Sequence, residues 1–140
     1  LSYETAFSRA CGNLRVGVQA RKAAGRLAFE AGDLVTAAEY VGWAAAFMPD
    51  DAELHAYLGG LYAHVGKRAE AATEFERAVE LAPEEGEYWH LLGRSRAAAG
   101  ELEAAEEALE RAAELLPEDE AADARRELED VRARRREDET

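Results

Sequence analysis

The sequence is poor in reactive side chains: it contains one cysteine, Cys11, and three serines, Ser2, Ser8 and Ser95. A lone cysteine excludes an internal disulfide framework and suits a reducing compartment. Ser95 lies within a predicted helix and lacks the glycine-flanked elbow of a nucleophilic serine. No run reaches the ~20 apolar residues that a membrane span requires. These shortages argue against an enzyme, a disulfide-rich scaffold and a membrane-spanning protein.

Basic residues are also scarce, since 17 Lys and Arg face 30 Asp and Glu and the formal net charge is −13. The average field therefore repels phosphates and anionic lipids, and we expect no nucleic-acid partner. The run Arg134, Arg135 and Arg136 could touch nucleic acid, but neighbouring acids neutralise it, and we interpret it as a frayed helix end. We expect a cytoplasmic protein. The sequence leaves open whether a targeting segment has been removed and whether the acidity reflects a high-salt environment.

Prolines divide the chain at regular intervals, because its only three are Pro49, Pro83 and Pro117, each thirty-four residues after the last. Proline cannot continue a helix, and it pushes the residue before it out of the helical region, so each marks a helix end. Counting back defines three units, residues 18–51, 52–85 and 86–119. A period of this length is typical of a stacked array of helices.

Small and bulky apolar residues recur with the same period. The matching sets are Gly25, Gly59 and Gly93; Gly32, Gly66 and Gly100; Ala37, Ala71 and Ala105; Val41, Phe75 and Leu109; and Ala44, Ala78 and Ala112. The second glycine of each unit predicts a helix C-cap followed by a turn, so each unit is a helical hairpin. We expect Gly59 and Ala71 to lie where the two helices come close, with Phe75 filling the adjoining space.

These positions resemble the tetratricopeptide repeat family, whose pattern is W-x₂-L-G-x₂-Y followed by Ala, Phe, Ala and Pro. The middle unit matches with Leu58, Gly59, Tyr62, Ala71, Phe75, Ala78 and Pro83, and has His55 at the Trp position. The third unit matches with Trp89, Leu92, Gly93, Ala105, Ala112 and Pro117, with Arg96 and Leu109 as departures. The first unit is poorer, with Arg21, Ala24 and Ala28 where Trp, Leu and Tyr are usual.

The resemblance implies an all-α fold, a right-handed α-solenoid of helix-turn-helix repeats with a C-terminal capping helix. Residues 1–17 would be the second helix of a degenerate or truncated N-terminal repeat plus a connection. Repeat 1, which is divergent, repeat 2 and repeat 3 would occupy residues 18–51, 52–85 and 86–119. Residues 120–140 would form a capping helix, with Ala121, Ala124, Leu128 and Val131 as its apolar stripe, and a frayed C-terminus.

The resemblance also implies a concave groove lined by the first helices, with ligand contacts from the fifth, ninth and twelfth residues of each unit. With His64 on its wall, the peptide-binding groove would contain Lys22, Arg26, Phe29, Ala56, Gly60, Ala63, His64, His90, Arg94 and Ala97. The nine core positions hold three permanent cations and no anion in an acidic protein, which points to an acidic segment of a partner. We therefore expect a non-catalytic protein-protein interaction module, acting as an adaptor or assembly scaffold.

Some members of the family clamp the C-terminal carboxylate of chaperones. Lys22 matches that clamp, but Arg26, Tyr57, Glu87 and Leu91 stand at its other positions, so a chaperone-tail role is not supported.

Other functions stay open at this stage. A homo-oligomerising scaffold could form through the terminal helices, and the repeats could regulate a larger enzyme system. We expect no cofactor and no metal, although His64 and His90 could both face the groove and hold a metal ion. The glutamates between Glu101 and Glu114 are expected to form a solvated face.

Overall fold

The computed structural model describes residues 14–140, and within that range the chain forms helices and no strand. The helices are α1 (Leu14–Glu30), α2 (Leu34–Phe47), α3 (Ala52–His64), α4 (Arg68–Leu81), α5 (Gly86–Ala98), α6 (Leu102–Leu115) and α7 (Glu118–Asp138). None of the helices within this range combines the length and apolarity needed to cross a bilayer.

The structure leaves most of the predicted N-terminal segment undescribed. The helix predicted within residues 1–17 lies outside the described residues up to position 13, and so do Cys11, Ser2 and Ser8. Residues 14–17 belong to α1 and not to a connection, so the first helix of repeat 1 begins four residues earlier than expected. In repeats 2 and 3 the first helices begin at the predicted unit starts, residues 52 and 86.

The chain divides into two compact units, Leu1–Pro49 and Asp50–Thr140. In the first unit, α1 and α2 pack as a hairpin with Val18 and Val41 in its core. Their close approach depends on Gly25, because a Cβ added there would lie 2.8 Å from Cγ2 of Val41.

In the second unit, α3 pairs with α4, α5 pairs with α6, and α7 packs on α6. The close approach seen in the first unit recurs in both hairpins. A Cβ added at Gly59 would lie 2.7 Å from the ring of Phe75, and one added at Gly93 would lie 2.7 Å from Cγ of Leu109. The expected contact between Gly59 and Phe75 is therefore present. Ala71 is also fully buried, as the small-residue pattern predicts.

Each hairpin turns on a glycine in the left-handed region. The φ angles of Gly32, Gly66 and Gly100 are 81°, 83° and 81°, and no non-glycine residue in the described range has a positive φ. The residue after each glycine donates its amide to a carbonyl of the preceding helix, as Lys67 does to Tyr62 over 2.9 Å. This is the Schellman arrangement of a helix C-terminus, so the predicted C-caps are present.

The C-terminal helix differs from its prediction in length. Its apolar stripe is buried as expected, but α7 continues to Asp138, so no frayed segment begins at the arginine run. Arg132 donates from Nε to Glu106 over 3.1 Å and from Nη2 to Glu110 over 2.8 Å, and Arg135 also donates to Glu106. The prediction of a solvated glutamate face on α6 is therefore wrong at Glu106, whose side chain is 16% exposed, whereas Glu110 is exposed as expected. Both glutamates hold α7 against α6.

Candidate functional site

The first unit carries three of the predicted groove residues on one helix. Lys22, Arg26 and Phe29 are spaced at i, i+4 and i+7 along α1, so they share a face. Lys22 is half-buried, whereas Arg26 and Phe29 are exposed. This face therefore offers an aromatic ring and a guanidinium to solvent.

Four predicted residues lie on α3 in the second unit. Ala56 is buried and offers a ligand little surface, Gly60 is half-buried, and Ala63 and His64 are exposed. Apart from neighbouring residues and backbone of its own helix, no heavy atom lies within 4 Å of a Cβ added at Gly60, so the space beside it is open. The three groove positions on α3, Ala56, Gly60 and Ala63, carry no side chain larger than a methyl group. Side chains therefore project little from this part of the face.

The remaining three lie on α5, and each of them contacts α7. Arg94 donates from Nε to both carboxylate oxygens of Glu127 over 3.0 Å, and from Nη2 to Oε1 over 2.7 Å. Nε2 of His90 lies 3.0 Å from Oε2 of the same carboxylate. Arg134 donates to the carbonyl oxygen of Ala97 over 3.2 Å. The predicted ligand face of repeat 3 is therefore partly covered by the capping helix.

Electrostatics favour the charged forms of Glu127 and Arg94. Burial opposes ionisation of Glu127, but its hydrogen bonds with Arg94 and His90 outweigh burial and hold the pKa of the carboxyl below its ordinary value. The hydrogen bond to Glu127 in turn raises the pKa of Arg94. The carboxylate side chain is 25% exposed and the Arg94 side chain 56%. A half-buried carboxylate is thus held by a cation that solvent still reaches.

Glu127 was not among the predicted site residues. A signal was available, because Glu127 lies three residues after Ala124 and four before Val131, at the edge of the buried stripe of α7. An acid at that edge must lie beside the surface on which the helix packs. Its partners, however, lie 33 and 37 residues earlier in the chain.

The position that usually holds Trp contains three different side chains with three different contacts. In repeat 1, the guanidinium of Arg21 lies 3.9 Å from the ring centroid of Trp43, a cation-π contact. In repeat 2, Nδ1 of His55 lies 2.6 Å from Glu74. In repeat 3, Trp89 donates to the carbonyl oxygen of Pro83 over 2.9 Å. Arg21 and His55 therefore contact residues of their own repeats, whereas Trp89 joins repeat 3 to the end of repeat 2.

Within the part of the chain that the structure describes, no group of three or more His, Cys, Asp or Glu residues is arranged to hold a metal ion. The two histidines considered for such a site differ in their surroundings. His64 is exposed on α3, and His90 is half-buried beside Glu127 on α5.

Comparison with known families decides the assignment. Two family models, both described as tetratricopeptide repeat, match residues 28–95 and 86–119. The chain belongs to the tetratricopeptide repeat family. The second match has the same bounds as the third predicted repeat. The family is non-catalytic, so these repeats are not an enzyme domain. Among curated proteins, none matches the chain significantly.

Solved tetratricopeptide repeat structures share the fold. The second such domain of human RPAP3, in complex with an HSP70 peptide, is 23% identical and has a TM-score of 0.76, covering 84% of this chain and 97% of that one. The Yersinia enterocolitica secretion chaperone SycD, in complex with a peptide of the translocator YopD, is 16% identical with a TM-score of 0.77, covering 84% and 93%. The Sgt2 domain of Aspergillus fumigatus is 21% identical with a TM-score of 0.75, covering 87% and 81%. The predicted all-α solenoid of helix-turn-helix repeats is confirmed.

Proposed function

We propose that the chain is a protein-interaction module that binds a segment of a partner protein on the first helices of its repeats. The observation that carries the proposal is the open face of α3, where Gly60 has free space beside it and Ala63 is exposed. Two structures of the same fold, RPAP3 with its HSP70 peptide and SycD with its YopD peptide, have peptides bound. The fold thus accommodates a peptide, and the small side chains on α3 leave room for one.

The charges on the first helices favour an acidic segment. Lys22 and Arg26 stand on one face of α1, and Arg94 stands on α5, in a chain whose net charge is −13. Guanidinium groups hold carboxylates through two parallel hydrogen bonds, as Arg94 already does with Glu127. A partner segment carrying Asp or Glu is therefore the ligand that we propose for these helices.

Selection from a random-peptide display library would test the proposal. The wild-type protein should enrich peptides rich in Asp and Glu. A Gly60→Trp variant should lose them, because the indole fills the open space on α3. The matched control is Thr73→Trp, which adds the same ring to an exposed position on α4 and should retain binding. Retention by Gly60→Trp, with an unchanged thermal midpoint, would place the binding surface elsewhere.

Charge reversal separates acidic recognition from general peptide binding. Arg26→Glu changes an exposed cation on α1, and Arg77→Glu makes the same change at an exposed position on the second helix α4. We expect only Arg26→Glu to weaken binding of an acidic peptide. Equal weakening by both variants would indicate an effect of net charge alone.

Self-association is the second candidate, and one observation favours it. Leu27, Val35 and Phe47 of the first unit are 66%, 64% and 46% exposed. Large exposed apolar side chains on a small unit favour contact with another surface. Light scattering over a hundredfold range of protein concentration would measure this. A constant monomer mass would exclude it, and a dimer that a Leu27→Glu, Val35→Glu variant abolishes would support it.

A further inference from the structure

We propose that Glu127 occupies a carboxylate-binding site on α5, and that an acidic side chain of the partner binds there in its place. The capping helix α7 is then an internal competitor that sets how strongly repeat 3 binds acidic segments. This inference rests on the proposed function, because it names the contact that an acidic ligand makes.

The site has the geometry of carboxylate recognition. Arg94 contacts both oxygens of Glu127, with its Nε and Nη2 atoms forming the two arms of a fork, and His90 adds a contact to Oε2. A planar guanidinium matches a carboxylate in this way whichever chain supplies it. Any Asp or Glu side chain, or a terminal carboxylate, can therefore make the same contacts.

Solvent reaches the cation of this site more than the carboxylate. The side chain of Arg94 is 56% exposed, so an incoming carboxylate can approach it without an opening of the fold. Asp123 lies near enough to raise the pKa of Arg94 further, and it will repel a second anion. The site should accordingly accept a ligand carboxylate in exchange for Glu127, not in addition to it.

Release of Glu127 does not require release of α7. The helix is fixed by its own buried stripe, which includes Leu128 and Val131, and by the hydrogen bonds of Arg132 and Arg135 to Glu106 on α6. Rotation of one glutamate side chain into solvent is sufficient. In the exchange, the partner's carboxylate replaces that of Glu127 on Arg94. Competition with Glu127 therefore reduces the apparent affinity for the partner, and the protein stays folded.

The test compares the whole 140-residue wild-type chain with its Glu127→Gln variant, using the acidic peptide that display selection enriches most on the Glu127→Gln protein. Fluorescence anisotropy measures its Kd. We expect binding about tenfold tighter in Glu127→Gln, because the internal competitor is neutralised. Asp130→Asn is the matched control, since it removes one carboxylate from the exposed side of the same helix and should leave Kd unchanged within twofold. A peptide with Gln for its acidic residues should show no difference between wild type and Glu127→Gln.

Equal Kd values for wild type and Glu127→Gln would overturn the inference and leave peptide binding intact. Failure of both proteins to select any peptide would instead reject the proposed function. A second measurement keeps the inference testable if Glu127→Gln folds poorly: the side-chain NMR signal of Arg94 Nε in the wild-type protein. The acidic peptide should shift it while the Arg77 signal stays in place, and an unmoved Arg94 signal at saturation would contradict the exchange.

Discussion

At the scale of single residues, the hairpins depend on glycines that face bulky side chains. A Cβ at Gly59 would lie 2.7 Å from the buried ring of Phe75, closer than packed atoms approach. We expect Gly59→Ala to lower the free energy of unfolding by about 1–3 kcal/mol, because the ring must move within a filled core. Urea denaturation followed by circular dichroism would measure it.

Gly60 provides the matched control one residue away. It lies in the same helix, but no atom stands within 4 Å of a Cβ added there. Gly60→Ala should therefore raise stability by up to about 1 kcal/mol through the better helix propensity of alanine. Equal effects of the two substitutions would contradict the close approach at Gly59.

The sequence predicts where the two helices of a hairpin come close. It does not predict every side chain that meets another there. Gly59 and Phe75 recur in phase with the other repeats, so the period predicts that they meet. Arg21 stands at the Trp position, and the sequence showed only that it departs from the pattern. Its contact with Trp43 depends on where a long flexible side chain turns, which no period specifies.

At the scale of helices, the N-terminal caps differ between equivalent positions. Asp51 accepts a hydrogen bond from the amide of Leu54 over 3.1 Å, whereas Glu85, thirty-four residues later, makes no side-chain cap. The longer glutamate side chain does not form the hydrogen-bonded cap that the Asp51 carboxylate forms with the amide three residues later. We expect Glu85→Asp to stabilise the protein by about 1 kcal/mol without changing its net charge, as measured by thermal and urea unfolding.

Two further variants check the origin of that gain. Glu84→Asp makes the same chemical change one residue earlier, in the turn, and should have little effect. Asp51→Ala removes an existing cap and should cost about 1 kcal/mol. A gain from Glu84→Asp as large as that from Glu85→Asp would rule out capping as the cause.

Helix bounds were largely predictable because their signals are local. The glycine turns and the prolines end helices through the backbone conformation of one or two residues. The length of α7 was not predictable from its arginine run. Arg132 and Arg135 pair with Glu106, 26 and 29 residues earlier, and the sequence does not show which of many acids faces a given arginine.

At the scale of the whole molecule, the charges around the predicted groove residues of α5 come from a helix outside the repeats. The nine groove positions of the sequence hold no anion, and the acids expected at the groove edge were Glu30, Glu53 and Glu87. The described structure brings Glu127 to both His90 and Arg94 from a helix that follows the repeats. The predicted groove residues His90 and Arg94 lie on α5, and Glu127, which contacts both of them, was not among the predicted residues.

The paired carboxylates also determine how the protein responds to acid. Hydrogen bonds from Arg135 and then Arg132 lower the pKa of Glu106 despite burial, and that of Glu127 is lowered as well. A carboxyl with a lower pKa in the folded state contributes stability above its unfolded pKa, near 4.5. That contribution is lost as pH falls through the lowered folded pKa. Wild-type stability should therefore decrease steeply below pH 4.5.

A Glu106→Gln, Glu127→Gln variant isolates this effect. It should be less stable than wild type at pH 7, because the ion pairs of Glu106 with Arg132 and Arg135 and of Glu127 with Arg94 are gone. It should also lose less stability between pH 5 and pH 3, because it lacks the two titrating groups. Glu107→Gln, Asp130→Asn is the control with the same charge change at exposed positions, and its acid profile should follow wild type. Urea midpoints measured across this range decide the matter: parallel profiles for all three proteins would mean that neither carboxylate is coupled to folding.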